Sequence, residues 1–368
     1  MEKTRLLGKT PSELKEIALA AGLPGFTGQQ IAQWIYGKRV RTIAEMTNLS
    51  KAGRERLSEA YEVGVALPVE KMVSVDGTCK YLFPVEGRFR VKPGMTKVKP
   101  GMTEVKPGMT KDSTVTEAVE AVMIPDGERK TLCVSSQAGC KMGCRFCMTG
   151  RQGFHGSLSA ADILSQFFGI DEAAELTNAV FMGMGEPLDN WEEVKRAIEV
   201  LTADWGFAWS PKRITLSTIG VLPNLKRFLD ECKCHLAVSL HDPFPEERFA
   251  LMPVEKAYPI QEVIDLLRQY DFTGQRRVSF EYTMFAGHND TPRHADALLR
   301  LVHGLECRVN LIRFHRIPDF PYGTSPQAAM EAFRDRLARG GVTATIRASR
   351  GEDIFAACGL LAGQHNHA

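Results

Sequence analysis

Residues 131–150, TLCVSSQAGCKMGCRFCMTG, run from a strand-like segment into a loop carrying three cysteines. Cys140, Cys144 and Cys147 are spaced C-x3-C-x2-C, with no fourth cysteine beside them. Three soft thiolates suit zinc or an iron–sulfur cluster. A structural zinc site wants four ligands, so zinc would need a further cysteine or His155. The alternative is a 4Fe-4S cluster bound at three irons. Its fourth iron would then be open to chelate a small ligand and pass it an electron.

Outward from this stretch, strand, loop and helix alternate. Strands read as TLCVSSQ, NAVFMGM, RITLSTI, HLAVSL, RRVSFEYTMF and CRVNLIRF. Helices read as SAADILSQFF, NWEEVKRAIEVL, LPNLKRFLDE, IQEVIDLLRQY, PRHADALLRLVHGL and AAMEAFRDRLA. Asn190 and Glu193 are spaced to cap a helix start. Repeated βα units predict an α/β fold with a parallel sheet and right-handed crossovers. Six units predict a partial (β/α)6 barrel over residues 129–350. A further strand, VTATIRAS, and a tail over 351–368 with Cys358 follow. In barrel folds chemistry gathers at the C-terminal ends of the strands. There lie the three cysteines, then Gly185 and Glu186 in GMGEPLDN, Ser217, the run Ser239, Leu240 and His241, and Asn310.

Residues 1–66 read as a small helical unit, and 67–128 as a β-rich linker. Within the linker, VKPGMTKVKPGMTEVKPGMT repeats a seven-residue unit whose Pro-Gly punctuates rather than extends a strand. A surface insertion between two strands is expected there. The net charge of the 368 residues is only +2, so a nucleic-acid partner must be held by local basic patches. Lys38, Arg39, Arg41, Lys51, Arg54 and Arg56, near Trp34 and Tyr36, form one candidate patch. Arg129, Lys130, Arg145, Arg151, Arg347 and Arg350 are further candidates. No apolar run is long enough to span a bilayer, and the N-terminus lacks a signal-like core. A cytoplasmic protein is expected. Its nine cysteines then suit metal binding or catalysis better than a disulfide framework.

C-x3-C-x2-C after the first strand of a partial barrel, with GMGEP after the second, resembles the radical S-adenosylmethionine enzymes. The segments RITLSTIGV, AVSLHDP, VNLIRFH and DIFAACGLLAG, in order, narrow the resemblance to the bacterial dual-specificity adenine C2 methyltransferases of 23S rRNA and tRNA. The resemblance implies one 4Fe-4S cluster on Cys140, Cys144 and Cys147. It also implies an S-adenosylmethionine site lined by Gly185, Glu186, Ser217, Ser239, Leu240, His241 and Asn310, with two such molecules used per turnover. Two accessory cysteines, Cys133 and Cys358, match this family and are not general to radical enzymes. Cys358 would be methylated and would carry the methylene to the base, and Cys133 would release the product by forming a disulfide. Glu120, in VEAVMIP, matches the proton-handling carboxylate. It reads equally as an exposed strand glutamate. A flavodoxin-type electron donor and a monomer are expected. The sister family that methylates adenine C8, and a non-catalytic RNA-binding protein with a structural metal, are the alternative readings.

Overall fold

The computed structural model describes residues 3–85 and 117–362. The VKPGMT repeat therefore lies outside the described residues. Ten strands among these residues form one open sheet. Across it they run Thr343–Ile346, Cys307–Arg313, Val278–Met284, His235–Ser239, Ile214–Thr218, Asn178–Phe181, Arg129–Cys133, Glu117–Asp126, Cys79–Val85 and Glu70–Val73. The first seven are parallel, with one or more helices between strands consecutive in sequence. These are the six predicted βα units in the predicted order, with VTATIRAS adding a seventh parallel strand.

Period-two burial separates the two faces of the sheet. Leu216, Leu236, Val238, Phe280, Tyr282, Val309 and Leu311 are buried. They belong to the same apolar core as Val194, Ile198, Leu225, Ile264 and Leu298 from the helices. The opposite face is polar. Ser217 stands beside Ala237, Ser239 beside Glu281, and Glu281 beside Asn310. Registered neighbours share a face, so these residues line the concave side of the barrel.

The β-rich segment does not form a sheet of its own. Its three strands continue the barrel sheet in antiparallel fashion, from Arg129–Cys133 outward. Val122 stands opposite both Cys133 and Lys80, and Glu120 opposite Leu82. Lys80, Glu120 and Cys133 therefore occupy one face.

The N-terminal helices are held to the barrel by polar contacts. Thr10 and Glu13 form a capping box at helix Pro11–Ala20, and Arg196 donates to both oxygens of Glu13 at 2.6 and 2.7 Å. Arg5 pairs with Asp162 at the start of helix Ala160–Phe168. Arg39 lies 4.6 Å over the Phe207 ring, and Tyr36 is buried with its hydroxyl donating to Lys9 O. Arg39 and Tyr36 thus build the joint and are withdrawn from the expected basic surface.

One local expectation fails. Helix Trp191–Thr202 begins at the predicted place, but Asn190 makes no side-chain cap. Its Nδ2 instead donates to Ser136 O and Leu158 O, and Glu193 accepts from Ala160 N. Both side chains join elements instead: Asn190 serves two backbone carbonyls and Glu193 the first amide of helix Ala160–Phe168.

Gln166 does similar work at the exit of the first barrel strand. Its Oε1 accepts from Ser135 N and its Nε2 donates to Ser135 O, each at 2.9 Å. A side-chain amide thus replaces a neighbouring strand. Gln166→Leu leaves both backbone groups buried and unpaired, at about 1–3 kcal/mol each. The expected loss, about 2–6 kcal/mol, is read from urea unfolding. A loss under about 1 kcal/mol would contradict this role.

Candidate active site at the mouth of the barrel

The cysteine loop is shaped by its backbone. Cys140 N donates to Gly153 O at 2.8 Å, and Arg145 N to Leu251 O at 3.0 Å. Gly139 has φ +68, and a Cβ there would fall 1.9 Å from Gly153 O. Only glycine allows the loop to double back so closely. The three thiols are partly accessible. Burial pushes Cys140 up to about 12 and Cys144 well above its ordinary range, and each is raised further by Cys147. Cys147 N donates to Cys144 O at 3.2 Å, which keeps the three cysteines on one tight loop. His155 lies beside the loop, with its Nε2 3.2 Å from Gln152 O.

The other rim residues fall around the same mouth. Gly185 has φ +96, and a Cβ there would sit 2.5 Å from Gln137 Cβ. Glu186 is buried and braces two strand ends: it accepts from Leu188 N at 3.0 Å and Ile219 N at 2.9 Å. Burial raises its carboxyl to about 7. Ser217 and Ser239 are half-buried on the concave face, whereas Leu240 is fully buried, its N–H donating to Glu281 O. His241 has φ +56 and accepts from Thr283 N on Nδ1 at 3.0 Å. Burial lowers its pKa to about 3, so the ring is neutral and carries its proton on Nε2. Asn310 Nδ2 donates to Glu281 Oε1 at 2.7 Å.

Several site residues had no sequence signal. Glu281 is buried on the concave face and also accepts from Ser279. Arg248 is fully buried. It donates to Leu240 O and Ser239 O at 2.9 Å each and pairs with Glu255. It fixes the strand ends that carry Ser239 to His241. Gln137 accepts from Glu186 N and donates to Asp189. A buried Arg or Glu inside an otherwise ordinary segment is indistinguishable in sequence from a solvated one.

The C-terminal segment crosses this mouth. Met148 N donates to Gly359 O at 2.9 Å, Thr149 Oγ1 to Leu361 O at 2.7 Å, and Gln152 Nε2 to Ala362 O at 2.5 Å. Ala362 N donates to Glu120 Oε2 at 2.8 Å. Cys358 is exposed as a residue, yet burial of its thiol group raises its pKa. Arg347 opposes that rise, while Glu281 and Cys147 add to it. Cys133 is buried and pushed up to about 12, by burial first and then by Cys358. The tail cysteine therefore sits within electrostatic reach of both Cys133 and the cysteine loop. Glu120 is not an exposed strand residue. It is 1% exposed and ion-paired with Lys80 at 3.0 Å. Cys232 and Cys234 are buried elsewhere in the core.

Three thiols without an evident fourth partner, a glycine cradle and a polar concave face fit a 4Fe-4S cluster with a chelating cofactor beside it. The comparisons agree with that class. Residues 134–301 match the radical SAM superfamily, and residues 4–63 match the ribosomal RNA large subunit methyltransferase N-terminal domain. The crystal structure of a radical SAM methyltransferase from Sphaerobacter thermophilus is 34% identical. It superposes with a TM-score of 0.85, covering 98% of this chain and 100% of that one. The fold is that of a radical S-adenosylmethionine enzyme.

The curated relatives are more specific. A probable dual-specificity RNA methyltransferase RlmN from Porphyromonas gingivalis is 56% identical over 98% of this chain and 94% of its own length. One from Parabacteroides distasonis is 54% identical over 100% and 98%. The dual-specificity RNA methyltransferase RlmN of Syntrophus aciditrophicus is 35% identical over 99% and 98%. The chain belongs to the RlmN family of dual-specificity RNA methyltransferases.

The Lys80–Glu120 pair yields a stability test. Removing one partner of a buried ion pair strands the other charge, at about 3–5 kcal/mol. Lys80→Met should lose that much in denaturant unfolding. Adding Glu120→Gln should restore most of it. Equal stability of Lys80→Met and the native chain would show that the pair carries no such strain.

Proposed function

We propose that the chain makes C2-methyladenosine in 23S rRNA and tRNA, with Cys358 as methyl carrier and Cys133 as the releasing thiol. The observation that supports this most is the tail carrying Cys358, which is hydrogen-bonded to the helix after the cysteine loop and, through Ala362 N, to Glu120. The names of the relatives favour this reading over C8 methylation.

Adenine C2 is electron-poor and will not attack a methyl sulfonium, so the carbon must arrive as a radical. When bound on Cys140, Cys144 and Cys147, the cluster and S-adenosylmethionine supply a hydrogen-abstracting 5′-deoxyadenosyl radical. Gly185, Glu186, Ser217, Ser239, Leu240, His241 and Asn310 are assigned to holding the cofactor. Cys358, methylated by a first S-adenosylmethionine, loses one methyl hydrogen to that radical. The sulfur-bound methylene adds to C2 and joins RNA to the tail, and the unpaired electron of the adduct would leave to the group held on Cys140, Cys144 and Cys147. Once the C2 proton is removed, Cys133 attacks the Cys358 sulfur. The S–S bond forms, the C–S bond breaks, and its electron pair returns to carbon, which takes a proton. A dithiol reductant resets the disulfide, and a flavodoxin-type donor would supply the electron to the group held by Cys140, Cys144 and Cys147.

Glu120 is the assigned proton acceptor. Its carboxylate is engaged by Lys80 and by Ala362 N, so that assignment requires the tail segment to shift during the cycle. The exposed cations Lys38, Arg41, Lys51, Arg56, Arg145 and Arg347 are assigned to RNA phosphates, giving salt-dependent affinity. The target base must leave its stack to reach the mouth. Among the described residues no helix is long and apolar enough to cross a membrane. A cytoplasmic monomer is the proposed form.

Cys133→Ala should accumulate a covalent protein–RNA adduct, which peptide mapping locates at Cys358. An active preparation with no adduct would remove Cys133 from release. Release should also depend on pH. The Cys133 thiol is held far above neutrality by burial, and the thiolate is the attacking form. Adduct lifetime in the native chain should therefore shorten by up to about tenfold per pH unit between 7 and 9. A lifetime independent of pH would mean that proton loss from Cys133 does not limit release.

A further inference from the structure

We propose that Asp242, Glu247, His288 and His294 form a second metal site, for a divalent ion of the zinc class, beside the barrel mouth and separate from the cysteine loop. Four segments converge there. Asp242 follows His241 at the end of the fourth parallel strand, and Glu247 lies on helix Pro245–Leu251. His288 lies in the turn after Val278–Met284, and His294 in the first turn of helix Pro292–Leu301.

The donor atoms are already gathered. Those of Asp242, Glu247 and His294 lie within 4.8 Å of one another. His294 Nε2 is 2.9 Å from Glu247 Oε2 and 3.9 Å from Asp242 Oδ2, and His288 Nε2 is 3.8 Å from Asp242 Oδ2. Tetrahedral ligands on bonds of about 2.0–2.2 Å stand about 3.3–3.6 Å apart. The observed separations bracket that value, so small side-chain adjustments would complete the site.

Two atoms point to something between them. Asp242 Oδ2 and His288 Nε2 are both buried without a hydrogen-bond partner. The Asp242 side chain is fully buried, and only its Oδ1 is used, accepting from Phe244 N at 2.9 Å. Buried polar atoms are rarely left this way, and a shared cation would satisfy both.

Surrounding contacts orient the ligands as metal sites require. Thr291 Oγ1 lies 2.7 Å from His294 Nδ1 and can accept its proton, leaving Nε2 to coordinate. His288 is stacked on Tyr322 at 4.2 Å and 13°. Arg293 occupies Glu247 Oε1, leaving Oε2 toward the cluster. A nitrogen and oxygen donor set suits zinc and not an iron–sulfur cluster. The ion would lock the loop after His241 to the two elements that follow. Asn289 already ties that loop by donating to His241 O at 2.7 Å.

The test uses cluster-loaded protein, exposed anaerobically to zinc and passed through metal-free buffer, with zinc and iron counted by mass spectrometry. One zinc per chain is expected beyond the iron. Asp242→Asn and His294→Gln should lose it with iron and sulfide unchanged, and Thr291→Val should weaken zinc affinity about tenfold. No zinc uptake by the native chain, or equal uptake by these variants, overturns the site. If Asp242→Asn fails to fold, His288→Phe keeps the stack on Tyr322 and decides the question. Zinc affinity reduced about tenfold supports the four-ligand site, and unchanged affinity overturns it.

Discussion

Four hydrogen bonds hold the last described residues across the barrel mouth: Met148 N to Gly359 O, Thr149 to Leu361 O, Gln152 to Ala362 O, and Ala362 N to Glu120. The proposed chemistry depends on this strap. Cys358 lies more than two hundred residues after Cys133 in the chain, and only tertiary contacts bring the two thiols into one space. Three of the bonds arise from the short helix that follows the cysteine loop, Met148–Arg151, and its C-cap Gln152. The segment that shapes the cluster site therefore also positions the tail.

The fourth bond reaches the antiparallel extension of the sheet. Glu120 can accept from Ala362 because its strand pairs with Arg129–Cys133, and its charge is tolerated there because Lys80 stands beside it. The β-rich segment thus helps to build the site. The concave face then supplies polarity where the cofactor is assigned, while the convex face supplies the apolar core. Arg248 links the two by binding carbonyls at the ends of strands that contribute to both.

Much of this was legible in sequence. Alternating apolar strands and amphipathic helices fixed six βα units, and the rim residues followed from strand ends. Three kinds of feature were not legible. Asn190 and Glu193 matched a capping pattern, but nearby carbonyl and amide groups claimed their side chains. Lys80 and Glu120 are separated by the repeat, so nothing local marked them as a buried pair. Asp242, Glu247, His288 and His294 are scattered over four segments, and only the fold brings them together.

The central claim is that a tail cysteine delivers the new carbon as a radical to adenine C2. The most direct measurement uses reconstituted enzyme, reductant, and S-adenosylmethionine with a trideuterated methyl group, acting on 23S rRNA or tRNA fragments. Mass spectrometry then reads the methyladenosine isomer and its deuterium content. One deuterium should pass to 5′-deoxyadenosine and one solvent proton should enter the product. The expected result is C2-methyladenosine retaining two deuterium atoms. An intact trideuteromethyl group, or methylation at C8, would contradict it.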